Sequence, residues 1–189
     1  MGRISETLVE IAGEQHGLFT VEQARQRGVS PGSVRTLASR GQLERRSQGL
    51  YRVRALPLGP DAELMEAVLW TEGRGVIIGE SALALWGLAD VNPRRVHLGL
   101  PPGDRIRRVD AHRFLIRHVA DLDADRDEHR GIPTLTPRRS LEDAILQGLP
   151  GDLAVQGIES GLRQGRISDR SAVDLRLCLD RRARSGLSA

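Results

Sequence analysis

The sequence predicts an α+β protein, an N-terminal winged helix-turn-helix followed by a mixed α/β C-terminal domain. Three observations lead there. Helix start and stop signals recur three times within the first 41 residues, and a short basic two-strand pattern follows them directly. Beyond the Pro/Gly-rich joint Leu56-Pro57-Leu58-Gly59-Pro60, strand-like and helix-like segments are mixed. That joint sets expected domains of 1–56 and 57–189.

In the first domain, Ile4, Leu8, Ile11 and Ala12 share one face of a helix that Gly17 ends. Thr20 is the N-cap of a second helix, with Gln23 completing a capping box, and this helix runs to about Arg27 and stops at Gly28. Ser30 caps a third helix whose first position is Pro31, where a missing N–H costs nothing; it ends on Gly41. Two short helices across a tight turn make a helix-turn-helix. Leu43 to Arg46 and Leu50 to Val53 then read as a hairpin closed by Ser47-Gln48-Gly49, the wing.

In the second domain, Glu63 to Thr71 has helical spacing, Val76-Ile77-Ile78 is a buried-strand run, and Ser81 to Trp86 reads as a small-residue helix. Val96 to Leu100 and Phe114 to Val119 are strand-like, separated by the turn Pro101-Pro102-Gly103-Asp104. Thr136-Pro137 opens a helix carrying Leu141, Ala144 and Ile145. Two more helices follow, with Ala154, Ile158 and Leu162 on one face, then Ala172, Leu175 and Leu179 on another.

Composition narrows the chemistry. All 28 basic residues are arginine, so any mechanism requiring lysine (a Schiff base, a phosphate-loop lysine) is excluded. One cysteine, Cys178, rules out an internal disulfide and a thiol metal site. No apolar run reaches the ~20 residues of a membrane span, and residues 1–10 lack the apolar core of a secretory signal, so the chain is expected in the cytoplasm. Residues 1–56 hold nine arginines against five acids, whereas 57–132 hold ten against thirteen. A basic head suits nucleic acid.

The third helix sorts by face. Val34, Leu37 and Ala38 turn inward, which leaves Ser33, Arg35, Thr36, Ser39 and Arg40 to read base edges in a major groove. Arginine there can grip guanine through two hydrogen bonds. Thr20 at the start of the second helix and Arg45, Arg46 and Arg52 of the wing are the candidates for phosphate contacts. A winged helix can also serve as a protein–protein module, and that reading stays open on these residues. Arg105, Arg107, Arg108, Arg113 and Arg117 form a second basic cluster; they either pair with Asp104, Asp110 and the acids at 121–128 or make a further anionic contact.

Features suggestive of catalysis dissolve on inspection. Asp121, Asp123, Asp125, Asp127 and Glu128 alternate like a calcium loop, but Arg126 stands at its glycine position and Ile132 at its glutamate; a solvated acidic loop is expected. His97, His112, His118 and His129 lack helical i, i+4 pairing, and no metal site or cofactor is expected. His112 and His118, placed on one strand, would be about 20 Å apart. Five aromatic residues are too few for a base-stacking, single-strand binder. An endonuclease domain lacks both a lysine and room, with about 45 residues following Asp143.

One family fits these residues. Gly17-Leu18-Phe19-Thr20, Ala24, Gly28-Val29-Ser30, Arg40-Gly41, Leu43 and Gly49-Leu50-Tyr51-Arg52 together resemble the N-terminal domain of AbiEi-type antitoxins, the regulators of type IV toxin–antitoxin systems. The run 79–88 ending in Gly87-Leu88, Val96-His97-Leu98 before Pro101-Pro102-Gly103, and Gly131-Ile132-Pro133 with Thr136-Pro137 and residues 138–143 resemble later parts of that family in the same order. The resemblance spans most of residues 16–146. It implies a non-enzymatic repressor of its own operon that binds inverted repeats in double-stranded promoter DNA. It also implies a neighbouring nucleotidyltransferase toxin, countered without a stable complex, although proteins of this architecture occur with no toxin beside them.

Overall fold

The computed structural model describes residues 3–106 and 110–186, which form two compact units divided after Arg74. The protein is α+β, with a three-stranded sheet in the first unit and a five-stranded sheet in the second.

The first unit runs α1 (Arg3–Gly13), β1 (Leu18–Thr20), α2 (Val21–Gln26), α3 (Pro31–Ser39), β2 (Leu43–Ser47), β3 (Leu50–Val53) and α4 (Ala62–Trp70). The caps read from sequence are made. Thr20 Oγ1 accepts from the Gln23 N–H at 3.1 Å, while Gln23 Oε1 accepts from the Thr20 N–H at 2.8 Å. Ser30 Oγ accepts from the Ser33 N–H at 3.1 Å, so α3 begins where Ser30-Pro31 places it. The core gathers Leu8, Ile11 and Ala12 of α1, Ala24, Val29, Val34, and the aromatic pair Phe19 and Tyr51, whose rings stack 6.0 Å apart. Each large apolar side chain so buried contributes about 1.5–3 kcal/mol.

Two features of this unit differ from the sequence expectation. Leu18–Thr20 forms β1, which pairs antiparallel with β3 and makes the sheet β1-β3-β2. Three residues are too short to show a period, and this strand exists only through its pairing. The unit also continues past the Pro/Gly joint to Arg74, beyond the boundary expected at residue 56. The reason is α4, whose Ala62, Met65 and Glu66 are buried and whose Glu66 meets Arg46 of β2 at 2.9 Å.

The second unit runs β4 (Val76–Ile77), α5 (Gly79–Trp86), β5 (Val96–Leu100), β6 (Phe114–His118), β7 (Arg126–His129), β8 (Ile132–Leu135), α6 (Pro137–Leu146), α7 (Gly151–Arg163) and α8 (Asp169–Gly186). Its sheet is mixed, in the order β6-β5-β4-β8-β7, with β5–β6 and β4–β8 parallel and the other pairs antiparallel. Helix α5 ends on Gly87, which sits at φ 63° as a left-handed C-cap that a side chain would strain. Part of the expected acidic loop is β7, an edge strand whose Arg126, Asp127 and Glu128 are exposed. Charges on an edge strand discourage pairing with another chain, and they also make the segment read as loop. His112 lies in a single 3-10 turn, Ala111–Arg113, and so is not on the strand that carries His118.

A polar cluster sits at the start of α5. Burial holds the His97 ring below the ordinary histidine value of ~6.5; Glu80 and Asp143 oppose that shift and Arg117 and Arg95 add to it. The folded protein therefore keeps His97 neutral where the unfolded chain takes up a proton. Stability from this group is complete above ~6.5 and is lost as pH falls toward the lower folded value. Thermal unfolding from about pH 7.5 to about pH 5.5 is expected to show that loss, with His97→Gln flattening the slope. Identical slopes for the two proteins would rule it out.

Candidate nucleic-acid interface

The helix-turn-helix is held rigidly by short-range bonds. Gln23 of α2 donates to Gln15 Oε1 at 2.8 Å, and the Gln15 amide donates to the Ile11 carbonyl of α1 at 3.2 Å. In the turn, the Val29 N–H reaches the Ala24 carbonyl at 2.8 Å while the Val29 side chain is buried. Helix α3 thus leaves the turn at a fixed angle, with Val34 buried and Leu37 and Ala38 packed on the core.

The opposite face of α3 is Gly32, Arg35, Thr36 and Ser39, spaced i, i+3, i+4, i+7, with Arg40 following as C-cap, and all five are exposed. Thr36 Oγ1 donates to the Gly32 carbonyl at 3.0 Å and Ser39 Oγ to the Thr36 carbonyl at 2.9 Å. Both hydroxyls keep acceptor capacity facing outward. Arg35 and Arg40 carry no ion pair among the described residues. Ser33 differs from its neighbours: it is half-buried, with its hydroxyl 3.0 Å from the Ser30 hydroxyl. Gly32, which the sequence reading passed over, belongs to the outward ridge. Its spacing from Arg35, Thr36 and Ser39 was the available signal, and it leaves that end of the ridge without a side chain.

The wing arginines separate into two kinds. Arg45 is exposed, its Nε donating to the Ser47 carbonyl at 3.3 Å. Arg46 is held between Glu44 at 2.8 Å and the buried Glu66 at 2.9 Å, and Arg52 lies 3.4 Å from Glu44. The hydrogen bond from Arg46 is the main reason the Glu44 carboxyl sits below its usual range; burial opposes it, and the nearby charges of Arg46, Arg52 and Arg54 assist. Arg46 and Arg52 are therefore occupied within the fold, which leaves Arg45 as the wing cation open to a phosphate. The Gln48-Gly49 turn between β2 and β3 places Gly49 at φ 75°, where a side chain would be strained. Thr20 is half-buried, and its oxygen is already an N-cap acceptor.

Two of the described members of the second basic cluster are engaged within the fold. Arg117 makes a two-pronged pair with Asp143 of α6, and Arg113 lies 3.8 Å from Asp110 and over the Phe114 ring. Arg105 is exposed, while Arg107 and Arg108 lie outside the described residues. Asp143, far away in sequence, was not among the acids expected to pair with these arginines. Among the described residues no helix is long and apolar enough to cross a membrane.

Comparison with known proteins supports the reading of the first unit. Residues 6–54 match the family model described as transcriptional regulator, AbiEi antitoxin. The match covers the helix-turn-helix and the wing and does not extend to the resemblance carried by residues 79–143. Among curated proteins none matches the chain. Among solved structures, the RV2827C protein from Mycobacterium tuberculosis superposes with a TM-score of 0.57 at 18% identity, covering 93% of this chain and 71% of that one. At that identity the likeness is one of fold alone. Over residues 6–54, the winged helix that presents Arg35, Arg40 and Arg45, this chain is similar to the AbiEi antitoxin transcriptional regulators.

Proposed function

We propose that this protein is a sequence-specific DNA-binding transcriptional repressor, the autoregulating antitoxin of a type IV toxin–antitoxin system, with no catalytic activity of its own. The observation that carries the DNA-binding part is the outward ridge of α3, where two exposed arginines free of ion pairs flank hydroxyls on a rigidly capped helix. Such a ridge enters a major groove with Arg35 and Thr36 against base edges, and Ser39 and Arg40 extend the contact along the helix. Arg45 of the wing adds a phosphate contact that is sensitive to salt and blind to sequence. The description of the matched family supports the regulatory and antitoxin roles. The proposed setting is the cytoplasm, the proposed target is inverted repeats in the protein's own promoter, and the proposed counterpart is a nucleotidyltransferase toxin that it opposes without a stable complex.

The test is a gel shift across a salt series on the duplex just upstream of the gene, with competitor DNA present. Arg35→Ala and Arg40→Ala are expected to lower affinity for that duplex about tenfold or more and to erase its preference over competitor. Arg45→Ala is expected to weaken binding to all duplexes alike and to reduce the salt slope by about one. Arg46→Ala is expected to act on folding, since it leaves the buried Glu66 without this partner. If wild type fails to bind, or binds every duplex equally, the winged helix is a protein-binding module and this reading is wrong.

A further inference from the structure

The wing segment, residues 43–54, holds four arginines and a single acid, Glu44. Its register separates them by face. Glu44 stands opposite Arg52 and Arg45 opposite Tyr51, and directly opposed residues share a face of the sheet. Tyr51 lies in the core with Leu43, Val53 and Val34 of α3, so Arg45 belongs to the face on which α3 packs. Arg54 follows the strand and lies beside Leu8 and Leu37 on that same side. Glu44 and Arg52 belong to the reverse face, and Arg46 joins them there through Glu44 and through Glu66 of α4. One carboxylate engages both guanidinium groups. Glu44 Oε1 accepts from Arg46 Nη1 at 2.8 Å and its Oε2 from Arg52 Nη1 at 3.4 Å. Counting Glu66, two arginines and two acids cancel in formal charge. The Glu44, Arg46 and Arg52 side chains are still 25–32% exposed, so pairing rather than burial keeps this face neutral.

Resting on the DNA-binding reading above, we propose that Glu44 sets how strongly this protein prefers its promoter duplex over others, by keeping the reverse face of the wing from attracting phosphates. The specific complex has one orientation. Helix α3 enters the groove, and Arg45, on the α3 side of the wing, takes the phosphate. A duplex of unrelated sequence is held by phosphate attraction alone and accepts any cationic surface. An uncompensated Arg52 on the reverse face therefore adds to binding of unrelated duplexes and little to the specific complex. Discrimination is a difference between two affinities, and Glu44 acts by holding one of them down. The hydrogen bond from Arg46 keeps the Glu44 carboxyl below its usual range, so it carries its charge at neutral pH. Glu66 holds Arg46 without help from Glu44, which makes Arg52 the cation that a neutral residue at position 44 releases.

Fluorescence-anisotropy titrations of the full chain test this, on the duplex upstream of the gene and on a shuffled duplex of the same length, across a salt series. Glu44→Gln is expected to bind the shuffled duplex more tightly than wild type does at low salt. Its salt slope there steepens by about 0.9, a further loss of about 3.5-fold for each fourfold rise in salt. Affinity for the upstream duplex is expected to stay within about twofold of wild type, so the preference falls. The double variant E44Q/R52Q removes both charges and is expected to return affinity and slope to wild-type values. Glu44→Asp keeps the charge and is expected to keep the wild-type slope. Damage to the fold lowers binding to both duplexes, whereas the expected change is a gain on one. A wild type without preference ends the DNA-binding reading and this proposal with it. A wild type that prefers the upstream duplex, while Glu44→Gln matches it on the shuffled one, overturns this proposal alone. So do equal gains on both duplexes, a gain that persists in the double variant, or a Glu44→Asp slope as steep as that of Glu44→Gln.

Discussion

Replacing Arg117 with alanine is expected to lower the unfolding free energy by about 3–5 kcal/mol, the cost of stranding a buried charge. Asp143 is 5% exposed, and both of its carboxylate oxygens face the Arg117 guanidinium, with Nη1 donating to Oδ1 at 3.0 Å. The pair joins β6 to α6 across 26 positions of sequence. Without the arginine, the carboxylate stays in a poorly hydrated site beside half-buried His97 and the backbone of Gly79. The double variant Arg117→Met with Asp143→Asn removes both charges and is expected to recover most of the loss, because the penalty lies in the unpaired charge rather than in the missing bridge. Urea unfolding of the three proteins measures this. A loss below about 1 kcal/mol for Arg117→Ala would mean that the pair behaves like a surface ion pair.

Trp86→Ala is expected to be comparably damaging, at about 3–5 kcal/mol. The indole is 6% exposed at the end of α5, with the His129 ring stacked 4.3 Å away and the Arg166 guanidinium 4.8 Å from its centroid. Its Nε1 donates to the Leu135 carbonyl at 2.9 Å. One side chain thus ties α5 to the last two strands and to the turn before α8. Trp86→Phe keeps most of the ring and loses the hydrogen bond, and it is expected to cost about 1 kcal/mol. That figure is at the small end because the Leu135 carbonyl also accepts from Ser140 Oγ at 3.1 Å. Guanidinium unfolding distinguishes the cases, and equal losses for the two variants would show that the ring packing contributes little.

The parts of the fold open to sequence reading are those decided within a few residues. Thr20 with Gln23, Ser30 with Pro31, and Thr136 with Pro137 each place a helix start by a cap that the structure contains. Arg35, Thr36, Ser39 and Arg40 of the α3 ridge were readable for the same reason, whereas Ser33, expected outward, is drawn half-buried against the Ser30 cap and Gly32 was missed. Strand β1 was not readable, because Leu18-Phe19-Thr20 becomes a strand only by lying against Leu50 to Arg52. Strand β7 was hidden by its charges, which belong to an exposed edge rather than to a loop.

By itself the sequence determined the winged helix, the outward placing of Arg35, Thr36, Ser39 and Arg40 on and after its third helix, and the exclusion of lysine chemistry, all of which follow from local spacing and residue type. Only the tertiary structure decided which arginines stay open to a partner. Arg46 is taken by Glu66, twenty positions away, and Arg117 by Asp143, whereas Arg35, Arg40 and Arg45 stay exposed. It also decided that the first unit ends at Arg74, because α4 buries its apolar face there. The physical reason is common to all of these. An ion pair or a buried face is a property of two segments brought together, and neither segment carries that information alone.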